Sequence, residues 1–247
     1  MRALKALPVR IAAAAVTLFA CYLAILCFPQ PLFPYSIRAE GLTLHSDRAF
    51  PPAAGQQVLQ LAAAKLATSP LEANRPTYDI FVCNTPWRRV LFFNKDYNAG
   101  GIAPYPMTSH VFLRDSQIEN NRLISPLGTP ITGDRTLDYF IAHEVTHQLT
   151  GLAIGPIRYF ELPPWVREGY ADYVGKGKSF DYGAARNAFR SGAPEMDYKK
   201  SGLYLRYNLL VAYLIEHQHW TVTKLLAAPP SQKSVETAVK ASVQTEP

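Results

Sequence analysis

His143-Glu144-Val145-Thr146-His147 constrains this 247-residue chain more than any other segment. It reads H-E-x-x-H and lies in a stretch, residues 134–150, that predicts a helix, with Asp134 suited to the N-cap and Gly151 to the stop. Residues four apart on an α-helix share a face. The imidazoles of His143 and His147 can therefore grip one metal ion. The carboxylate of Glu144 sits beside them, within reach of a water it could deprotonate. Two His ligands with a Glu base is a zinc arrangement. The competing reading is a surface helix with two His and one Glu, and the downstream sequence argues against it.

A catalytic zinc site needs a third protein ligand and one open position. The segment Pro163-Pro164-Trp165-Val166-Arg167-Glu168-Gly169-Tyr170-Ala171-Asp172-Tyr173 reads as a helix led in by proline. Glu168 and Asp172 are four apart on it. Glu168 can complete a His143, His147, Glu168 set. Asp172 can accept a hydrogen bond from the distal N–H of a ligating His, fixing its tautomer. Glu161 is a poorer third ligand because it precedes the proline pair and is expected in a loop.

H-E-V-T-H, then seventeen residues, then W-V-R-E-G-Y-A-D-Y resembles the gluzincin clan of zinc metallopeptidases, in particular the minimal bacterial peptidase MA-like domains and, more distantly, the gluzincin aminopeptidases. The resemblance covers residues 100 to 226. The metzincin pattern is not met, since Thr150 and Ala153 stand where it needs Gly and His. What the resemblance implies is a zincin-like domain, a Zn2+ cofactor and a peptide or protein substrate. In gluzincin aminopeptidases a later helix carries a Tyr that hydrogen-bonds the oxyanion, in a Y-x-K-G-a pattern. Tyr204 takes that place here, Arg206 the Lys place and Leu214 the place of a following Leu, while Tyr207 stands where the pattern has Gly. The clan also pairs the substrate backbone with an edge strand before the metal helix; residues 99–106 or 110–114 are the candidates. In the aminopeptidases that segment carries a Glu for the substrate amine. No acidic residue lies between Tyr97 and Arg114, so an endopeptidase is expected over an aminopeptidase.

The N-terminus predicts a location. Arg2, Lys5 and Arg10 precede eighteen uncharged residues, Ile11 to Phe28, which predicts a transmembrane helix or signal anchor over 11–28 with residues 1–10 cytoplasmic. The rest would then lie on the periplasmic or extracytoplasmic side of the inner membrane, as a single-pass protein. A cleaved signal peptide is the rival reading, and Leu18-Phe19-Ala20-Cys21 weakly resembles a lipoprotein box.

The remaining chain predicts one α+β domain over 36–228, a small N-terminal sheet followed by a helical half with the metal site. Residues 29–35 read as a Pro-rich stalk and 229–247 as a loose polar tail. Strands are expected at 41–45, 78–83, 90–93 and 110–114. Helices are expected at 53–67, with Val58, Leu61 and Leu66 on its apolar side, and at 134–150, 163–174, 184–190, 203–218 and 221–227. Cys21 and Cys27 fall in the apolar run, leaving Cys83 as a buried structural thiol in a strand. Beyond the N-terminal three, 22 basic residues against 19 acids are dispersed, which gives no nucleic-acid partner. Two function classes remain: a zinc metallopeptidase, and a non-catalytic peptide-binding or scaffold module on a peptidase-like fold.

Overall fold

The computed structural model describes residues 2–74 and 77–242. In chain order the elements are α1 (Arg2–Cys27), β1 (Tyr35–Ala39), β2 (Leu42–Ser46), α2 (Pro52–Leu66), β3 (Tyr78–Cys83), α3 (Pro86–Phe93), β4 (Gly101–Ile102), β5 (Val111–Arg114), β6 (Ser116–Gln117) and β7 (Arg122–Leu123). The helical half follows as α4 (Leu137–Ile154), α5 (Pro156–Glu161), α6 (Pro164–Lys176), α7 (Tyr182–Ser191), α8 (Tyr198–Ser201), α9 (Leu205–Ala212), α10 (Val222–Ala227) and α11 (Gln232–Ala241). A π-turn at Tyr213–His217 continues α9.

Five strands form one sheet in the order β1-β2-β3-β5-β4, with β2, β3 and β5 parallel and the two outer pairs antiparallel. Strand β3 shows how period-2 alternation splits the core. Tyr78, Ile80 and Val82 face the main core, shared with Val58, Leu59, Ala62 and Leu66 of α2 and Ile141 and Val145 of α4. Phe81 and Cys83 face the other way, into a smaller cluster with Leu26, Phe33, Phe92 and Phe112. Cys83 is fully buried, as expected, and burial pushes its thiol well up. On α2 the buried face is Val58, Leu59, Ala62 and Leu66, whereas Leu61 is exposed.

The α+β order with a sheet-first topology is as the sequence predicts; the membrane helix is not. Among the described residues no helix is long and apolar enough to cross a membrane. The apolar described part of α1, Ile11–Cys27, would extend about 26 Å at 1.5 Å per residue, short of a hydrocarbon core of about 30 Å. Its C-terminal end, from Tyr22 on, is also committed to the domain. Leu26 is buried in the smaller core cluster, the Tyr22 hydroxyl accepts from Asn94 Nδ2 at 2.7 Å, and the Cys27 carbonyl meets His110 Nε2 at 3.0 Å. The predicted single-pass inner-membrane placement is therefore overturned with the helix that carried it. The side chains of the basic segment, residues 1–10, lie outside the described residues.

Other expectations fail for long-range reasons. The stalk is docked: residues 30–32 form a 3-10 turn and Phe33 packs 5.0 Å from the ring of Phe81. Residues 90–93 are the end of α3, not a strand. Pro86 starts that helix at its first position, and Asp47, just past the end of the neighbouring strand β2, accepts from the Asn84 and Thr85 amides and the Thr85 hydroxyl. The chain after Pro229 includes α11, whose Val235 and Val239 are buried, so it is not a loose tail as far as Ser242; residues 243–247 lie outside the described part.

Candidate metal centre

Helix α4 begins later and ends later than the sequence predicts. Asp134 does not cap it but pairs with Lys176 Nζ at 2.8 Å. The caps come instead from Asn121: its backbone carbonyl accepts the Leu137 amide at 3.0 Å and its side-chain oxygen the Asp138 amide at 3.1 Å. Asp138 in turn takes Lys65 Nζ at 2.9 Å. Helix α4 runs through Gly151 and stops at Gly155, whose φ of 79° only glycine adopts without strain. Every residue from Leu137 to Gly151 is buried, so the H-E-x-x-H run lies inside the protein rather than on its surface. The surface-helix reading is thereby removed.

Three side-chain atoms converge at this helix. His143 Nε2 and His147 Nε2 are 3.2 Å apart, and Glu168 Oε2, arriving on α6, is 3.7 Å from the first and 3.4 Å from the second. Ligands about 2.0–2.1 Å from a tetrahedral zinc lie roughly 3.3–3.4 Å from one another. The three distances fit the base of such a tetrahedron, and the donor set of two neutral imidazoles and a carboxylate suits zinc. Of the Cys, His, Asp and Glu among the described residues, these three form a group that could hold a metal ion. Burial pushes the Glu168 carboxyl up, but the charges of His147 and His143 and their hydrogen bonds outweigh it and hold the group well below the usual range. Its other oxygen, Oε1, receives Arg167 Nε at 3.3 Å, which leaves Oε2 for the site.

Glu144 lies one residue from His143 on the cleft side of α4. Burial pushes its carboxyl above the ordinary glutamate range, opposed by the two histidines and reinforced by Glu168. Strand β4 passes directly over it. A Cβ at Gly101 would sit 2.7 Å from Glu144 Cγ and 2.9 Å from its Oε1, so only glycine lets the strand approach this closely. Residues 99–106 thus contain the edge strand, whereas 110–114 become the interior strand β5. Outside β4 a cleft of about 1310 Å³ opens, lined by β4, both histidines, Glu144, Glu168 and six tyrosines.

Tyr204, immediately before α9, stacks on the His143 ring at 5.7 Å and 12°. On its other side it stacks on Tyr198 at 4.8 Å and 5°. Burial, then the charge of Glu168 and a hydrogen bond with Tyr198, raise the Tyr204 phenol far above its ordinary range, so it stays a donor. Gly169 allows α9 this close to α6, because a Cβ there would meet the Tyr207 carbonyl at 2.6 Å. The sequence reading missed Tyr198 and also Tyr159 of α5, whose ring meets His147 edge-on at 6.4 Å. A cluster of tyrosines within reach of the metal motifs was the available signal.

Two placements differ from expectation. Asp172 is buried on α6 but takes no ligating His: one oxygen accepts from the Tyr139 hydroxyl and the other from Asn208 Nδ2 at 2.9 Å. Among the described residues the buried Nδ1 atoms of His143 and His147 have no partner. Asp172 therefore acts on the site at one remove, through Tyr139, whose ring packs 5.7 Å from His143. Glu161 is the exposed last residue of α5, helical rather than in a loop, and outside the cleft.

Comparison of the chain with protein-family models, with curated proteins and with solved structures finds no match.

Proposed function

We propose that this centre is a zinc-dependent hydrolase of peptide bonds, an endopeptidase, with zinc held by His143, His147 and Glu168. The supporting observation is the convergence of those three donor atoms beside a buried carboxylate, under the open edge of β4. A bound zinc ion supplies Lewis acidity and lowers the pKa of water to about 7. An extended peptide can add to the free edge of β4 through main-chain hydrogen bonds, which brings a scissile carbonyl over Glu144. Glu144 takes the proton of the attacking water and delivers it to the leaving amine. Tyr204 donates a hydrogen bond to the developing oxyanion. Arg167 fixes the orientation of Glu168. The cleft is open along β4, and no acidic residue stands on residues 99–106 to bind a free amine, which favours internal bonds.

The purified full chain should carry zinc near one equivalent and cleave members of a quenched-fluorescence peptide library. A chelator should remove both properties, and added zinc should restore them. Zinc-loaded protein that binds peptides but leaves them uncut sinks the hydrolase reading in favour of a binding module. Within the same assay Tyr204→Phe should lower kcat by about 100- to 1000-fold, the equivalent of about 2.7–4 kcal/mol for one oxyanion donor, without loss of zinc. An unchanged kcat would remove Tyr204 from the mechanism and turn attention to Tyr159.

A further inference from the structure

The charges of the cleft do not balance. Glu144 and Glu168 belong to the metal centre, and of the other charged residues that line the space Lys95, Arg114, Arg135 and Arg167 are positive and Asp96 alone is negative. Two of the four arginine and lysine cations already lie against carboxylates. Arg114 is buried against Asp115 and the Asn98 carbonyl, and Arg167 holds Glu168. Lys95 is exposed on the 3-10 turn after α3, beside Asp96.

Arg135 is different. It sits two residues before α4, half-buried, with its guanidinium carbon 4.9 Å from the centre of the Phe140 ring and 5.7 Å from that of Tyr139. Asp134 beside it is taken by Lys176, and Asp138 by Lys65 and Asn121. Among the described residues no carboxylate pairs with Arg135, and its Nε is buried without a partner. Burial raises the Tyr139 phenol and the charge of Arg135 opposes it, but the guanidinium carries five donors in a rigid fork suited to a carboxylate. The two rings hold that fork in place, so little side-chain entropy remains to be lost when an anion arrives. Its position relative to the reaction is set by the same rings. Tyr139 packs against His143, and Phe140 packs against Gly100 at the start of the edge strand. Arg135 is thus two ring contacts from a metal ligand, close to the line an added strand would follow. At about 3.3 Å per residue of extended chain, a side chain one or two residues from the cut bond reaches it.

We infer that Arg135 is a specificity residue that receives a carboxylate of the peptide substrate within two residues of the scissile bond. This rests on the peptidase reading of the site. The carboxylate has two sources: an internal Glu or Asp side chain, or the free C-terminus of a short peptide.

The test uses the zinc-loaded full chain and matched peptides that carry Glu or Gln at each position around the cut, with free or amidated C-termini. At one position the Glu peptide should show about tenfold higher kcat/KM than its Gln twin, a difference typical of one charge-assisted hydrogen-bonded pair. Arg135→Gln should erase that preference by raising KM for the Glu peptide, with kcat for the Gln peptide unchanged. Arg135→Lys should keep part of it. If the preference follows the free C-terminus, the proposal stands with the terminus as the source. Cleavage that ignores both charges, or an Arg135→Gln variant that slows Glu and Gln peptides equally, overturns it and leaves the peptidase reading intact. Binding of the same peptides to zinc-loaded Glu144→Gln, read by fluorescence anisotropy, separates the two ideas. A Glu preference that vanishes with Arg135 supports the inference even where the wild-type chain cuts nothing, and equal binding of both peptides overturns it.

Discussion

Glu144→Gln is expected to retain zinc and the fold while losing peptide cleavage by about 10²–10⁴-fold or more, the range of a positioned general base. The substitution keeps shape: the amide fits the space under Gly101 that the carboxylate now fills. It removes the one property the reaction uses, the ability to take and return a proton. Stability should move the other way. Burial raises the Glu144 pKa above its ordinary value. A carboxyl whose folded-state pKa is raised is costlier to ionise in the folded chain than in the unfolded one, so the ionised form subtracts stability as pH rises through the unfolded value. A neutral Gln avoids this, and the metal-free variant should melt at or above the wild-type temperature near pH 7. Zinc stoichiometry, a thermal melt and single-turnover cleavage measured on the same sample check the three parts together. Undiminished cleavage by a zinc-loaded variant would remove Glu144 from the mechanism.

What could be read from the sequence here is what local geometry dictates. Four-residue spacing put His143 and His147 on one face without any knowledge of their surroundings. The proline pair placed the start of α6 to within a residue, and so brought Glu168 to the right face. Strands β2, β3 and β5 were legible because their apolar residues recur with the period of a strand. The misses share a cause, which is contact between residues far apart in the chain. Residues 90–93 are apolar and aromatic enough for a strand, but Asp47 anchors the Thr85-Pro86 turn from 38 residues away and commits them to α3. Asn121 supplies the caps that place the start of α4 at Leu137. Asp172 has the spacing of a histidine partner, yet Tyr139 and Asn208 reach it first. The end of α1 looked like the end of a membrane span because nothing local shows that Leu26 meets Phe33 and Phe81. One miss was avoidable: Val235 and Val239, four apart, already mark the buried side of α11.

Among substitutions at the site, Glu168→Ala should cost the most metal. It removes the only anionic donor of the three and leaves two imidazoles, while Arg167 loses the carboxylate that neutralises it. Zinc affinity should fall by more than about 100-fold, beyond the roughly 10–100-fold span of residues that only orient a ligand. Activity should fall with it. Asp172→Asn should do less to zinc and more to the fold. Its two oxygens accept from two donors, and an amide there faces one of them, Tyr139 or Asn208, with a donor of its own. A buried mismatch of that kind costs about 1–3 kcal/mol, readable as a lower Tm. Because Tyr139 packs on His143, some zinc affinity should follow, within the 10–100-fold span, roughly, of an outer residue. Glu161→Ala should change neither, since the residue is exposed and outside the cleft. Zinc titration against a competing chelator, run beside thermal melts, gives the expected order Glu168, then Asp172, then Glu161 in affinity, with Asp172 showing the larger loss of apo-protein stability than Glu168. Should Glu161→Ala prove the most damaging to zinc, the triangle of His143, His147 and Glu168 is not the metal centre, and the hydrolytic mechanism built on it goes as well.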